Sequence, residues 1–191
     1  SGKVYGDVRC LAFIEELPTL PLGIDGNLYG KSKLIAEKLI DFYANQEKSF
    51  IIFRIFNVFG PSQKDNFLVP TILNRIKKSN EIISGNIKVK RDYIYIKDVA
   101  AAFALAIEKK TDAGLSIFNI CSGKPTSVKE IVSEIGKIKK IPIKTKIDAG
   151  SANLSRKDEK DIEYGSYKKI KKIIGWQPKN SLKRGLKELI K

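Results

Sequence analysis

A tyrosine and a lysine four residues apart form the pair in this sequence that is best suited to chemistry. Tyr29 and Lys33 begin a stretch with helical periodicity, so both side chains fall on one face of the predicted helix. A free phenol, whose pKa is about 10, exchanges protons poorly at neutral pH, and a neighbouring ammonium group favours the phenolate. The same ammonium group can hydrogen-bond a ribose, and a serine hydroxyl nearby can hold a substrate oxygen. The pair therefore predicts proton transfer by Tyr29, with an exposed helix face that has no chemical role as the alternative.

The composition excludes several other chemistries. The 191 residues include no histidine, and the two cysteines, Cys10 and Cys121, lie far apart in the sequence. Most catalytic and zinc-site patterns need histidines or closely spaced cysteines. We therefore predict no metal site and interpret both cysteines as small buried apolar residues.

The charge of the chain raises a second class of function. A net charge of +15 is typical of proteins that bind nucleic acid. The lysines, however, are spread along the chain and accumulate on predicted helices such as 129–140 and 168–172, without an arginine-rich run or an RNA-binding signature. We predict no nucleic-acid partner, and a cationic surface that attracts an anionic substrate.

The hydropathy pattern bears on location. No apolar run approaches the ~20 residues that span a bilayer, and the first residues lack the pattern of a secretory signal. A cytoplasmic protein without a membrane partner is therefore predicted.

The elements that must position the pair alternate between helix and strand. The Tyr29 helix is predicted from Leu28 to about Asn45 with Asn27 as its N-cap, preceded by the end of a strand in KVYG. The nearly continuous apolar run 49–60 indicates a buried strand of a parallel sheet. A capping box at Thr126 or Ser127 with Glu130 begins a later helix. Further helices are predicted at 67–79, 98–110, 166–174 and the end of the chain, further strands at 81–84, 91–99, 116–123 and 141–147, a turn at 85–86 and a polar loop at 148–163.

Six sequence segments occur in a recognisable order: SxxVYG, YGKSKLIAE, RIFNVFGPSQ, RDYIYIKDVA, FNICSGKPTS and GWQPKNSL. Their order and spacing resemble the C-terminal part of the extended short-chain dehydrogenase/reductase family, also called the NAD-dependent epimerase/dehydratase family, in its nucleotide-sugar branch. The resemblance implies an α/β fold with a partial Rossmann-like parallel sheet, containing the later strands only, and a smaller α/β substrate-binding domain. Residues 1–60 would complete the Rossmann domain, and residues 61–191 would form mainly the substrate-binding domain, with a return to the sheet near 88–122.

The same resemblance assigns roles on the cofactor side. It implies that Ser1 is the catalytic serine, that Tyr29 is the acid/base, and that Lys33 is its partner, which also holds the nicotinamide ribose. Phe56 would lie on the strand whose backbone approaches the nicotinamide. The implied cofactor is NAD or NADP.

On the substrate side, the implied partner is a nucleotide-diphosphate sugar. Asn57 matches the asparagine that contacts the diphosphate, and Arg91 and Arg156 match two arginines that grip it, a role that suits a planar, permanently charged donor. Two alternatives remain, in which Arg91 pairs with an acid such as Asp98 and Asn57 caps a turn. The nucleotide would be received by the residues at 66–68, which are Asn66, Phe67 and Leu68.

The chain departs from the family in one respect. The GxxGxxG turn that binds the dinucleotide would stand upstream of Ser1, and nothing in the sequence replaces it. Because the chain begins at a serine and contains no methionine, we expect that position 1 is not the natural start and that the chain alone is inactive. The full-length protein is expected to be a homodimer, since family members commonly dimerise through the Tyr29 helix.

The residues after Ser1 narrow the reaction. The dehydratase branch carries an Asp-Glu pair there, but this chain has Gly2 and Lys3, which disfavours dehydration. A 4-epimerase or a 4-keto reductase remains, and the later segments look similar to reductases of the GDP-4-keto-6-deoxymannose type. The alternatives are a non-catalytic NAD-binding scaffold, an RNA-binding relative, and a basic nucleic-acid-binding module.

Overall fold

Strands and helices alternate along most of the chain in the computed structural model, which describes residues 1–6, 12–20, 27–44, 48–84, 87–109, 111–147 and 162–190. After a 3-10 helix at Gly2–Tyr5, the α-helices are α1 (Leu28–Tyr43), α2 (Leu68–Lys78), α3 (Ile96–Glu108), α4 (Val128–Lys139), α5 (Lys168–Ile174) and α6 (Leu182–Leu189). The strands are β1 (Ser49–Ile55), β2 (Asn57–Phe59), β3 (Glu81–Ser84), β4 (Lys90–Tyr95), β5 (Gly114–Ile120), β6 (Pro125–Ser127), β7 (Lys144–Ile147) and β8 (Ile162–Glu163).

Within the described ranges, the strands form three sheets in which parallel pairs predominate. β1 pairs in parallel with β5, and β3 pairs in parallel with β7. The third sheet has the order β2-β4-β6, and β8 also pairs with β4; the β2 and β8 pairs are parallel and the β6 pair is antiparallel. The predicted α/β class with a parallel sheet is confirmed, whereas the predicted division near residue 60 stays a prediction.

The predicted strand at 49–60 is wrong in one respect, because the run forms two strands with different partners. β1 pairs with β5, and β2, which starts two residues after β1 ends, pairs with β4. At the break, the backbone N–H of Phe56 donates to the carbonyl oxygen of Ile120 at 3.0 Å, so the chain leaves β5 there. The break places Phe56 and Asn57 at the junction of the two sheets.

The start of the chain also differs from the prediction. Lys3, Val4 and Tyr5 of KVYG lie in the 3-10 helix, and Gly6 is its C-cap, rather than all four forming the end of a strand. Ser1 caps this helix by accepting the N–H of Lys3, and Val4 and Tyr5 are buried. A small core cluster of Val4, Tyr5, Phe13 and Leu34 holds the helix in place.

Most other elements agree with the prediction within a few residues. The capping box is confirmed at Ser127 and Glu130. α3 begins at Ile96 instead of Asp98. β7 covers only the end of the predicted strand at 141–147, because the chain first leaves α4 through its C-cap Lys140, which has a left-handed backbone conformation. The polar loop predicted at 148–163 ends in strand β8, while residues 148–161 and the turn at 85–86 lie outside the described residues.

Two larger core clusters support the sheets. One packs α2, α4 and α6 against Phe59 and Tyr95, and the other packs α3 and α5 against Phe118 and Ile120. Across the described ranges, no helix has both the length and the apolar character that crossing a bilayer requires.

Candidate functional site

The first turn of α1 carries the Tyr29–Lys33 pair. Asn27 caps the helix by accepting the N–H of Gly30 at 3.2 Å. The side chain of Tyr29 is 57% exposed, and the Lys33 ammonium nitrogen lies 5.4 Å from the centre of the Tyr29 ring. The predicted pairing on one helix face is therefore present.

A close backbone approach brings this turn against the segment that carries Ser1. A Cβ atom on Gly30 would lie 2.5 Å from the carbonyl oxygen of Lys3, so a glycine is required at position 30. Ser1 is the N-cap of the 3-10 helix, and its hydroxyl oxygen accepts the N–H of Lys3 at 3.3 Å. The structure thus brings the predicted serine segment and the Tyr–Lys helix into contact.

A buried ion pair anchors α1 below this site. Glu37 lies one helical turn beyond Lys33 and is 7% exposed, and Arg54 of β1 is 3% exposed. Arg54 donates from Nη2 to Glu37 Oε2 at 2.8 Å and from Nε to Oε1 at 3.1 Å. Burial acts to lower the pKa of Arg54, but its hydrogen bonds with Glu37 and Tyr5 outweigh that effect and raise the pKa. Arg54 therefore stays charged, and its contact with Glu37 ties α1 to β1.

Tyr5 extends this network towards β5. The Arg54 guanidinium carbon lies 4.8 Å from the centre of the Tyr5 ring, and the Tyr5 hydroxyl donates to Asn119 Oδ1 at 2.8 Å. Burial raises the pKa of Tyr5 to about 12, despite the lowering effect of Arg54. None of this network was predicted, although an arginine inside an apolar strand was the signal that could have indicated it.

Phe56 uses its side chain for packing. A Cβ on Gly2 would lie 3.2 Å from the Phe56 ring, and one on Gly165 would lie 2.7 Å from it. The ring also packs near Phe13, at 6.2 Å between ring centres. The ring is therefore engaged in packing, and the expected contact of this residue with a cofactor stays a prediction.

Arg91 is paired with Glu163, which was not predicted as its partner. Its Nε lies 3.2 Å from Glu163 Oε2, and its Nη1 donates to the carbonyl oxygen of Lys90 at 2.9 Å. The same Glu163 oxygen lies 2.8 Å from the Lys3 ammonium nitrogen. Glu163 gave no sequence signal, since it belongs to a polar segment without periodicity.

The alternative partner for Arg91, Asp98, has another role. Its carboxylate accepts the backbone N–H groups of Lys179 and Asn180, both at 3.0 Å, while its carbonyl oxygen accepts the indole N–H of Trp176 at 3.0 Å. Asp98 therefore fastens the loop before α6 to the start of α3.

The remaining substrate-side residues lie on other elements. Asn57 is exposed and donates from Nδ2 to the carbonyl oxygen of Asp92 at 3.0 Å, so it bridges β2 and β4 instead of capping a turn. Asn66 and Phe67 are exposed just before α2, and Leu68 begins that helix. Arg156 lies outside the described residues. In the part of the chain that the structure describes, no group of three or more acidic, cysteine or histidine side chains could hold a metal ion.

Comparison with known proteins defines the family. The family model described as GDP-mannose 4,6 dehydratase matches residues 1–189, and the chain belongs to this family. GDP-6-deoxy-D-mannose reductase from Pseudomonas aeruginosa is 29% identical over 100% of this chain and 62% of its own length. UDP-glucose 4-epimerase 4 from Oryza sativa subsp. japonica is 29% identical over 94% of this chain and 52% of its own length. The chain thus spans less than two thirds of these relatives.

A solved structure confirms the fold. The structure of RMD from Pseudomonas aeruginosa complexed with NADPH is 29% identical, with a TM-score of 0.83. The match covers 98% of this chain and 62% of that one. The predicted resemblance to the C-terminal part of Rossmann-type nucleotide-sugar enzymes is confirmed.

Proposed function

We propose that a protein that includes this chain transfers hydride at C4 of a nucleotide-diphosphate sugar with NAD or NADP. The reaction is a 4-keto reduction or a 4-epimerisation, with Tyr29 as the acid/base. The single observation that carries the proposal is the geometry of the exposed Tyr29–Lys33 pair. The Lys33 ammonium nitrogen lies 5.4 Å from the centre of the Tyr29 ring, and the helix turn between them packs at Gly30 against the segment of Ser1.

Each residue of this group has a distinct role in the proton transfer. Tyr29 gives its proton to, or takes one from, the oxygen on C4. The Lys33 ammonium group stabilises the phenolate that forms, and it also holds the nicotinamide ribose. Because the Ser1 oxygen accepts a hydrogen bond from Lys3, its own O–H can still donate to a substrate oxygen.

The residues present fit the nicotinamide end of the cofactor. Tyr29 and Lys33 are both exposed, so a ribose can reach them, and the Phe56 backbone lies where β1 leaves β5. When bound, the nicotinamide accepts or supplies the hydride. The sequence offers no GxxGxxG turn for the pyrophosphate, so this chain alone is proposed to have no turnover.

The substrate side of the proposal is an anion site. Arg91 and Arg156 bind the diphosphate, because a guanidinium can donate two parallel hydrogen bonds to one phosphate group. Asn57, the first residue of β2, contacts the same diphosphate. The nucleotide is received before and at the start of α2, by the residues at 66–68.

Two further observations bear on the type of reaction and on assembly. Gly2 and Lys3 stand where dehydratases carry acids, so dehydration is not proposed. The Pseudomonas aeruginosa relative is named as a reductase and the Oryza sativa relative as an epimerase, so both reactions remain.

The exposed apolar residues Ile35, Leu39 and Phe42 of α1 are consistent with the proposed homodimer.

The test is Tyr29→Phe in the complete protein. We expect turnover to fall by about 10²- to 10⁴-fold, because the proton donor is lost, while the Kd for the nucleotide sugar stays within about twofold. Tyr43→Phe is the matched control, since Tyr43 is 70% exposed at the other end of the same helix. Turnover that survives in Tyr29→Phe would refute the mechanism.

A binding measurement on this chain separates the enzyme from a basic nucleic-acid-binding module. Saturable, selective binding of a nucleotide sugar at low and at moderate salt supports the enzyme. DNA binding that weakens steeply with salt, without binding of the sugar, supports the module.

A further inference from the structure

One carboxylate sits between two cations at the proposed anion site. Glu163 Oε2 lies 2.8 Å from the Lys3 ammonium nitrogen and 3.2 Å from Arg91 Nε. The side chains of Arg91 and Glu163 are 10% and 17% exposed, so water screens their interaction only in part. The Lys3 side chain is 44% exposed and forms the open side of the cluster.

The fold holds Glu163 in this place through backbone contacts. β8 pairs with β4 so that Glu163 is the register partner of Arg91. Two residues later, the N–H of Gly165 donates to Asp92 Oδ2 at 3.3 Å, and the adjacent Tyr164 carbonyl accepts the N–H of Phe13 at 2.9 Å. The carboxylate is therefore a built part of the site.

We propose that the Glu163 side chain occupies part of the diphosphate site. It sets the affinity for the substrate because it competes with the diphosphate for Lys3 and Arg91. Carboxylate and phosphate oxygens accept from the same charged donors, so a bound diphosphate and Glu163 share them. The inference rests on the proposed role of Arg91 and adds Lys3 as a further contact to the diphosphate.

The charges of the cluster give the direction of the effect. Two cations and one carboxylate leave a single net positive charge, and an incoming diphosphate is repelled by Glu163 while it is attracted by Lys3 and Arg91. Glu163→Gln keeps the shape of the side chain and removes this repulsion. Two like unit charges several ångströms apart near a protein surface repel each other. Removal of this repulsion in Glu163→Gln should lower the Kd for the diphosphate by roughly three- to thirtyfold.

The experiment is calorimetric titration of this 191-residue chain with GDP, and separately with inorganic pyrophosphate. The matched control is Glu81→Gln, because Glu81 pairs with Lys146 at 2.7 Å on the β3–β7 sheet and its loss changes the net charge equally. We expect tighter binding in Glu163→Gln and a Kd within about twofold of wild type in Glu81→Gln. Equal gains in both variants would show a general charge effect and overturn the inference.

Further variants separate this inference from the proposed function. If Arg91→Gln weakens GDP binding but Glu163→Gln equals wild type or weakens it, the inference fails and the anion site stands. If GDP does not bind, or Arg91→Gln leaves its Kd unchanged, the proposed function fails and the inference with it. Should Glu163→Gln not fold, as judged by circular dichroism, Lys3→Gln provides the second measurement: weaker GDP binding supports the inference, and an unchanged Kd overturns it.

Discussion

Loss of the Glu37 charge is expected to destabilise the protein strongly, because its partner would remain buried. The side chains of Glu37 and Arg54 are 9% and 4% exposed, and their closest atoms are 2.8 Å apart. In Glu37→Gln, the guanidinium keeps the Tyr5 ring at 4.8 Å and a 3.4 Å hydrogen bond to the Glu15 carbonyl oxygen. Neither contact carries the full negative charge that a buried cation requires.

The magnitude follows from the burial of the pair. Removing one partner of a buried ion pair costs about 3–5 kcal/mol, and we expect about 3 kcal/mol for Glu37→Gln because the amide oxygen still accepts a hydrogen bond. For a chain of this size, 3 kcal/mol corresponds to a fall in Tm of about 6–12 °C. Replacing both residues with methionine removes the two charges together and should recover most of the loss.

The assay is urea unfolding of the chain, followed by circular dichroism, with thermal unfolding alongside it. Glu81→Gln is the control for an exposed pair, since the Lys146 and Glu81 side chains are 66% and 31% exposed, and it should cost less than about 1 kcal/mol. A loss below about 1 kcal/mol in Glu37→Gln would refute the reasoning. It would mean that water reaches the pair as it reaches a surface pair.

Two further predictions concern the helices that support the site. The hydrogen bonds from Ser127 lower the folded-state pKa of Glu130 below its ordinary value of 4.5, so the capping box stabilises the protein fully above that value and loses its effect as the pH falls through the lower folded pKa. The free energy of unfolding should therefore drop more steeply between about pH 5 and pH 3 in wild type than in Glu130→Gln, by a small amount because the side chain is exposed and water screens its charge; equal slopes in the two proteins would contradict this assignment. Gly185→Ala should destabilise α6 by about 1–3 kcal/mol in urea unfolding, although alanine is the better helix former, because a Cβ there would lie 2.6 Å from the Phe59 ring. A gain in stability would show that the ring moves aside without cost.

Local patterns allowed much of the fold to be predicted. α1 and its cap at Asn27 were readable because a helix and its N-cap depend on neighbouring residues. The partner change at Phe56 was not, because the run is apolar throughout and the two partners, β5 and β4, lie far along the chain. The Tyr29–Lys33 pair followed from spacing alone, whereas the contacts of Glu163 depend on how β8 pairs with β4.

A single buried carboxylate holds together the three strands, β2, β4 and β8, that carry the residues of the proposed substrate site. Asp92 is 0% exposed and accepts the backbone N–H groups of Ser122 at 2.7 Å and Gly123 at 2.9 Å, besides that of Gly165. Burial raises the pKa of Asp92, and these hydrogen bonds oppose the rise because they stabilise the charged form. Its carbonyl oxygen also accepts the Asn57 side chain. Since Asp92 follows Arg91 on β4, the strand that carries Arg91 also fixes the segment of Glu163 and the side chain of Asn57, so the three groups keep their spacing without a ligand.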